Sequence, residues 1–324
     1  MKKESSKRKI EIGKFGVFII LAVIIVFFTV ISDSFLKPNN LFNVARQVSM
    51  IGICAVGMTF VLLTGGIDIS VGSVIAMQSV ICSIFITQLA IPIPVAILIT
   101  LILGCGIGLF MGFVVTKYAV PPLIATLALM TIARGVAFVL TQGIPVYGLP
   151  EEVKVIGQGY VGPIPVPVII MAVTFLFGWW LLEKTYLGRH IYAIGGNQEA
   201  ARLSGVNVNH VKRLVYMFST LFASLAGVVM MSRINSGQPN VAQGFEMDVI
   251  TGAVLGGVSV NGGEGRIVNV IAGVFIMGIL SNGMVLMNLY EYWQWIVKGA
   301  VLIVAVSVDN FSKGKVETKF AKAK

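Results

Sequence analysis

The chain has 324 residues, of which 56% are hydrophobic and only 12% are charged. Its length alone would allow two soluble domains, but apolar runs of about 18 residues or more recur between a few polar intervals, which excludes a soluble globular protein and indicates transmembrane helices. The formal net charge of +10 requires no nucleic-acid partner, because 18 of the 24 Lys and Arg residues lie in segments that the pattern places in the cytoplasm.

The sequence predicts an all-α polytopic membrane protein with about ten transmembrane helices and both ends in the cytoplasm. Basic segments at 1–14 and 311–324 flank a single transmembrane domain at 15–310. No small-residue cleavage site follows the first apolar run, at 16–31, so we expect a retained helix rather than a signal peptide. The later helices are expected at 48–63, 71–89, 94–116, 123–141, 168–182, 214–232, 267–289 and 295–308, with a short glycine-broken return at 248–260. External segments are expected at 32–47, 142–167 and 233–246. The first can also form an interfacial helix, and the second is irregular.

The first interruption of an apolar run has the sequence TGGIDIS, at 64–70. Gly65 and Gly66 permit backbone angles that other residues avoid, while Asp68 and Ser70 can cap the following helix. Two interpretations are open. The segment is either a tight cytoplasmic turn in which the aspartate is a helix cap, or a broken helix at membrane depth that contributes to a translocation path.

Two later helices carry features of helix packing. Arg134 lies well inside the helix predicted at 123–141, where a membrane arginine normally faces the bundle and pairs; structural pairing and contact with a transported solute are both open. Small residues at close to helical spacing predict close packing of the helix at 94–116 against a neighbour. These residues are Gly104, Gly106, Gly108 and Gly112.

The longest polar interval lies at 183–213, and its excess of Lys and Arg over acidic residues is typical of a cytoplasmic loop. Within it Asn197 can cap a short helix, with Glu199 in the first turn and Gly205 just past the end. A capped, charged helix between two apolar segments favours a docking surface. The alternative is a solvated loop that contains a helical turn.

A second glycine-rich interruption has the sequence GGVSVNGG, at 256–263, and contains Gly256, Gly257 and Asn261. Like GGIDIS in the first half, it lies between apolar helices. Broken segments repeated in two halves indicate a binding or gating site in transporters. The match covers few residues, so coincidence is the alternative.

Three blocks of sequence resemble the permease subunits of bacterial ABC importers for ribose, xylose, arabinose, galactose and allose. They are LTGGIDISVGS at 63–73, YAIGGNQEAARLSGVNV at 192–208 and VLGGVSVNGGEGR at 254–266. The middle block contains residues similar to the EAA-type coupling helix of that family. With the apolar spans between the blocks, the resemblance covers nearly the whole chain from about 35 to 310.

The resemblance implies a multi-pass permease of the inner or plasma membrane that translocates a monosaccharide. Its implied partners are an ATPase with two nucleotide-binding domains, a periplasmic or extracellular sugar-binding protein, and a second permease copy. The ATPase-coupling residues would be Gly195, Gly196, Asn197, Glu199, Ala200, Ala201, Arg202 and Gly205. Candidates for the translocation path or gate are Gly65, Gly66, Asp68, Ser70, Arg134, Gly256, Gly257 and Asn261.

The chain lacks the motifs of an enzyme. No G-x-x-x-x-G-K-[ST] sequence occurs, so ATP hydrolysis would belong to the partner. His190 and His210 have no clustered Cys, Asp or Glu nearby in sequence, and we expect neither a metal site nor a cofactor. Two alternatives to the ATP-driven permease are an ion-coupled secondary transporter of a small polar solute and an integral-membrane enzyme. The scarcity of embedded acids argues against the first, and the lack of a nucleophile with its base against the second.

Overall fold

Helices make up most of the computed structural model, which describes residues 2–321 and the side chains of residues 17–307. Side chains of the basic segment at 1–14 and the tail at 311–324 lie outside the described residues. The helices are α1 (Lys2–Ile31), α2 (Pro38–Leu63), α3 (Val71–Thr87), α4 (Ile93–Lys117), α5 (Pro122–Thr141), α6 (Lys154–Gln158), α7 (Val166–Lys184), α8 (Tyr186–Gly196), α9 (Gln198–Leu203), α10 (Val208–Ile234), α11 (Phe245–Leu255), α12 (Ile267–Leu286) and α13 (Glu291–Ala321). A two-stranded hairpin pairs β1 (Tyr160–Val161) with β2 (Ile164–Pro165).

Each of the ten predicted apolar segments contains a helix, which confirms the all-α polytopic architecture. Among the described residues, six helices are long and apolar enough to cross a membrane, namely α2, α4, α5, α7, α10 and α12. The connecting segments meet at two opposite ends of the bundle. At one end Val146 and Gly237 form a β-bridge, and at the other Gly263 donates its N–H to Leu63 at 2.9 Å. We call them the bridge end and the glycine end.

The helix α2 forms the centre of the bundle. All of its residues from Val48 to Leu63 are buried, and it packs against α7, α10, α11 and α12. A helix that is apolar on every side lies either in a protein core or in lipid. Hydropathy could not identify α2 as the central helix, because α4 is the more apolar of the two and is nevertheless mostly exposed on the bundle surface.

The helix α2 begins at Pro38, so the last ten residues of the segment 32–47 are helical and continue directly into the apolar span. Proline is favoured at the first position of a helix because its fixed φ suits the helix and its missing N–H has no partner there. Asn40, in the first turn, exchanges two amide hydrogen bonds with Asn282 of α12, at 3.0 and 2.9 Å. This pairing satisfies the Asn40 side chain within the bundle, although the hydropathy pattern had placed residue 40 in an external segment.

The segment 142–167 is more ordered than predicted. It contains a 3₁₀ turn at Glu151–Val153, the helix α6 and the β1–β2 hairpin. Ser232 of α10 fastens it, since its hydroxyl accepts from Gly157 N at 2.6 Å and donates to Val153 O. Partners more than 70 residues away in sequence impose this order.

The predicted glycine face of α4 packs directly on α10. Side chains at Gly104, Gly108 and Gly112 would overlap Ser224, Thr220 and the backbone at Arg213, respectively. Gly106 has open space around it, so its inclusion in this face was wrong. Residues four apart lie on one side of a helix, whereas a residue two positions away points elsewhere.

The helices α3 and α11 both begin inside the bundle, as the predicted broken helices require. Asp68, just before α3, bonds to Ser219, which lies about 16 Å along α10 at 1.5 Å per residue. With eleven residues, α11 is also about 16 Å long, half of a bilayer core. The two starts meet at Gly72, where a side chain would overlap the Ala242 carbonyl and the Glu246 carboxylate.

Candidate functional site

The predicted short helix of the polar loop is α9, and its caps are confirmed. Asn197 at the N-cap accepts a hydrogen bond from Ala200 N at 2.9 Å. Gly205 follows the helix with φ of +87°, a left-handed angle that favours glycine, and Val206 N closes the turn on Ala201 O at 3.1 Å. The six-residue helix is therefore held at both ends by its own sequence.

One side of α9 faces solvent and the other packs on the bundle. Leu203 is 85% exposed, whereas Ala201 is only 5% exposed. Ala201, one of the predicted coupling residues, therefore faces the bundle, whereas the exposed Leu203 was not among them. Glu199 and Arg202 form an exposed ion pair of 3.1 Å, an arrangement that adds little stability. The outer face thus presents one large apolar side chain flanked by charges.

Three glycine-containing segments meet directly beneath α9. A side chain on Gly195 would overlap both Leu63 O and Gly263 N, the two atoms joined by the hydrogen bond at the glycine end. A Cβ on Gly262 would lie 2.9 Å from Gly65 N. A Cβ on Gly263 would lie 2.8 Å from the N of Gly196. We call this cluster, Gly65, Gly195, Gly196, Gly262 and Gly263, the glycine junction.

A tyrosine provides a second link across the same region. Tyr192 of α8 donates its hydroxyl to Gly265 O at 2.9 Å. Burial raises the pKa of Tyr192, and the negative charge of Glu183 acts in the same direction. The phenol is therefore protonated near neutral pH and can keep this donor role.

The glycine junction gives α9 a stiff mechanical connection to the membrane helices. Gly196 ends α8 immediately before α9 begins, Leu63 ends α2, and Gly263 precedes α12. Contacts between backbones contain no side chain that can change rotamer to absorb a movement, and packed interiors transmit strain. The junction therefore joins the chain just before α9 to the end of α2 and the segment before α12. The sequence had assigned Gly195 and Gly196 to coupling and Gly65 to the path, and the structure joins the two groups.

The Asp68 carboxylate links two helices inside the bundle rather than capping α3. Ser70 occupies the N-cap position, without a side-chain cap. Asp68 Oδ1 accepts from Ser70 N at 3.0 Å and from Ser70 Oγ at 2.5 Å, and Oδ2 accepts from Ser219 Oγ at 2.6 Å. Asp68 is 1% exposed, so the interpretation as an N-cap in a cytoplasmic turn was wrong. The aspartate holds the chain between α2 and α3 against α10.

Asp68→Ala is expected to destabilise the protein by about 1–3 kcal/mol or more, because two hydroxyls and one N–H lose their buried acceptor. Asp68→Asn retains one amide oxygen toward Ser70 and should lose less. Thermal unfolding of the purified variants in detergent would compare them. Equal loss of transport in both variants, at normal stability and membrane level, would contradict this structural role and show that the charge itself matters.

The other path candidates divide between Arg134 and the glycine end, where a Cβ on Gly65 would lie 3.6 Å from Asn261 O. Arg134 donates to Pro239 O and Val241 O, each at 2.8 Å, so it pairs with backbone carbonyls as the structural interpretation expected. Gly256 packs against α12, where a side chain would lie 2.5 Å from Val270 Cα. Gly257 and Asn261 are exposed at the glycine end. These residues do not form one site in this conformation.

Sequence reasoning missed a buried ion pair at membrane depth. Lys298 Nζ of α13 lies 2.7 Å from Asp248 Oδ2 of α11, with side-chain exposures of 17% and 7%. A lone lysine in an apolar span requires a partner, and that signal at Lys298 could have pointed to an acid on a neighbouring helix.

The chain is similar to known permeases over most of its length. Residues 40–306 match the family model described as "Branched-chain amino acid transport system / permease component". The ribose import permease of Escherichia coli K12 is 45% identical over 296 residues, 90% of this chain and 92% of that protein. The Bacillus subtilis ribose import permease is 43% identical, covering 92% of each chain. A xylose transport permease of Haemophilus influenzae is 32% identical over 95% of this chain and 99% of that protein. No solved structure matches.

Proposed function

This chain belongs to the branched-chain amino acid transport system permease family, and from that membership we propose that it is the permease subunit of an ATP-driven ABC importer for a monosaccharide. The observation that carries the proposal is its similarity to ribose import permeases over nine-tenths of its length. The xylose permease matches at lower identity. A pentose is accordingly the proposed substrate class, with ribose as the first sugar to test.

The outer face of α9 is the proposed ATPase-docking surface. Leu203 is the most exposed large apolar side chain in the described part of the chain, and an apolar side chain on a short exposed helix suits insertion into a partner's groove. Glu199 and Arg202 flank it and can exchange their mutual ion pair for contacts with that partner. The glycine junction lies directly behind this face, so binding on α9 reaches α2 and α12 by the shortest route.

Transport follows from a two-state bundle that the ATPase biases through α9. A ligand shifts such an equilibrium only by its differential affinity for the two states. The second permease copy would form the pathway with this chain, and the sugar-binding protein would dock at the bridge end. The permease itself makes and breaks no covalent bond.

The proposed orientation places the glycine end in the cytoplasm, because the coupling loop at 183–213 carries the Lys and Arg excess. Lys2, His190 and Lys319 would then be cytoplasmic, and Glu151 and Gln238 external. In cells expressing variants without native cysteines, a cysteine at 151 should react with a membrane-impermeant maleimide. One at 190 should react only after permeabilisation. Labelling of position 190 in intact cells would reverse the orientation.

Copurification with the ATPase, followed by ATP hydrolysis assays in proteoliposomes, tests the function directly. A panel of sugar-loaded binding proteins should stimulate hydrolysis selectively, with the ribose-loaded protein among the activators. Uptake that needs no ATPase and collapses when an ion gradient is dissipated would instead establish the ion-coupled transporter.

A further inference from the structure

A cavity of about 490 Å³ lies between α2, α10, α11 and α12, at the bridge end of the bundle. Its volume is within the range of small-molecule sites. Its polar lining comes from four helices and consists of Asn43, Gln47, Arg233, Asp248 and Asn282, with Phe245 among its apolar walls. None of these residues was singled out as a site in the sequence, because the polar members lie far apart in the chain.

The deepest polar group of this cavity is incompletely bonded. Asp248 is 5% exposed, and its Oδ2 pairs with Lys298 while its Oδ1 is buried without a hydrogen-bond partner in the described structure. A buried acceptor without a hydrogen bond costs about 1–3 kcal/mol of stability, and more when it is charged. Such a group requires a donor from outside the protein, and a hydroxyl group supplies one. Because Lys298 already neutralises the carboxylate, the site does not require a cation.

Three of the other polar residues in the cavity, Asn43, Gln47 and Arg233, are also available. The amides of Asn43 and Gln47, one turn apart on the same face of α2, make no hydrogen bond within the part of the chain that the structure describes. The Arg233 guanidinium donates a hydrogen bond to the Met50 sulfur at 4.0 Å. Among the described residues, no carboxylate lies within 4.0 Å of this guanidinium. Asn282 is held in place by its amide exchange with Asn40.

We infer that this cavity is a sugar-binding subsite in the permease itself, which receives the sugar from the bridge end before the pathway opens toward the glycine end. Hydroxyl groups both donate and accept hydrogen bonds. The cavity offers a free carboxylate oxygen as an acceptor, a guanidinium as a donor and two unpaired amides that can do either. Phe245 supplies an apolar ring for the C–H face of a sugar. The inference rests on the proposed function and adds the residues that would select a polyol.

Protection of a cysteine from mixed-disulfide formation tests this subsite. Gln47→Cys is introduced into the full-length permease with Cys54→Ala, Cys82→Ala and Cys105→Ala, and the purified protein reacts with a small methanethiosulfonate. D-ribose at about ten times its Kd should slow the reaction about tenfold. Tyr147→Cys, exposed at the same end outside the cavity, is the matched control and should react at one rate with or without ribose.

Asn43→Ala provides a second measurement. Asn43 is exposed and makes no hydrogen bond in the described structure, so the substitution should leave folding intact. Added to the Gln47→Cys protein, it should raise the ribose concentration for half-protection about two- to tenfold, as expected for one lost hydrogen bond. No protection by ribose or xylose, in protein that still supports ATP-driven ribose uptake, would overturn the subsite and leave the proposed function standing. Protection by leucine alone would also overturn it, since an amino-acid carboxylate on Arg233 would then explain the cavity.

Discussion

Gly205→Trp is expected to abolish sugar-dependent ATP hydrolysis and uptake while the permease still inserts and binds its loaded binding protein. Gly205 ends the turn after α9, and a Cβ placed there meets no atom within 4 Å, so a tryptophan has room in the free permease. The side chain would project beside Leu203, on the face where the ATPase is proposed to dock. Hydrolysis in proteoliposomes with the ribose-loaded binding protein measures the effect.

Gly205→Ala separates bulk from backbone strain. Both variants place a side chain at φ of +87°, so both carry the cost of a left-handed non-glycine residue, about 1–2 kcal/mol. Only tryptophan adds a large group to the outer face. The alanine variant should keep most of its activity. If the two variants lose activity equally, the turn matters and the docking surface lies elsewhere. Normal transport by an abundant Gly205→Trp protein would exclude this loop as the coupling site.

Gly195→Ala is expected to cause the second large loss of transport. The added methyl group would overlap Leu63 O and Gly263 N, so it would separate α8 from the ends of α2 and the segment before α12. Overpacking of this kind costs about 1–3 kcal/mol, and the Gly263–Leu63 hydrogen bond would stretch or break. The ATPase should still bind, because the outer face of α9 is unchanged. Copurification measures binding, and uptake relative to ATP hydrolysis measures coupling.

Gly196→Ala is the matched control, one residue away. A Cβ on Gly196 meets no atom within 4 Å, and alanine is favoured over glycine in a helix by about 0.5–1 kcal/mol. This variant should transport normally. Normal coupling in the Gly195→Ala protein, at a normal membrane level, would show that the glycine junction only packs and does not transmit the movement of α9.

Several features of this protein were determined by local sequence. The ten helices follow from apolar length, because a chain in lipid must satisfy its backbone hydrogen bonds within each helix. The caps of α9 at Asn197 and Gly205 follow from side-chain and backbone preferences that act over three or four residues. The break between α2 and α3 followed from the paired glycines Gly65 and Gly66 that precede Asp68. The family resemblance rests on short blocks of consecutive residues, so it too could be detected from the sequence alone.

Only the tertiary structure decided which groups meet. Asp68 bonds to Ser219, 151 residues away, and Lys298 pairs with Asp248 across 50 residues. The helix α4 is more apolar than α2 but less buried, so hydropathy could not show that α2 is central. It also could not show that Ala201 faces inward while Leu203 faces outward. The glycine junction joins backbones from three distant segments, and glycine offers no side-chain chemistry from which a partner could be inferred. Propensity and periodicity act along a few turns of chain, whereas these contacts depend on how helices pack, and packing is a property of the whole bundle.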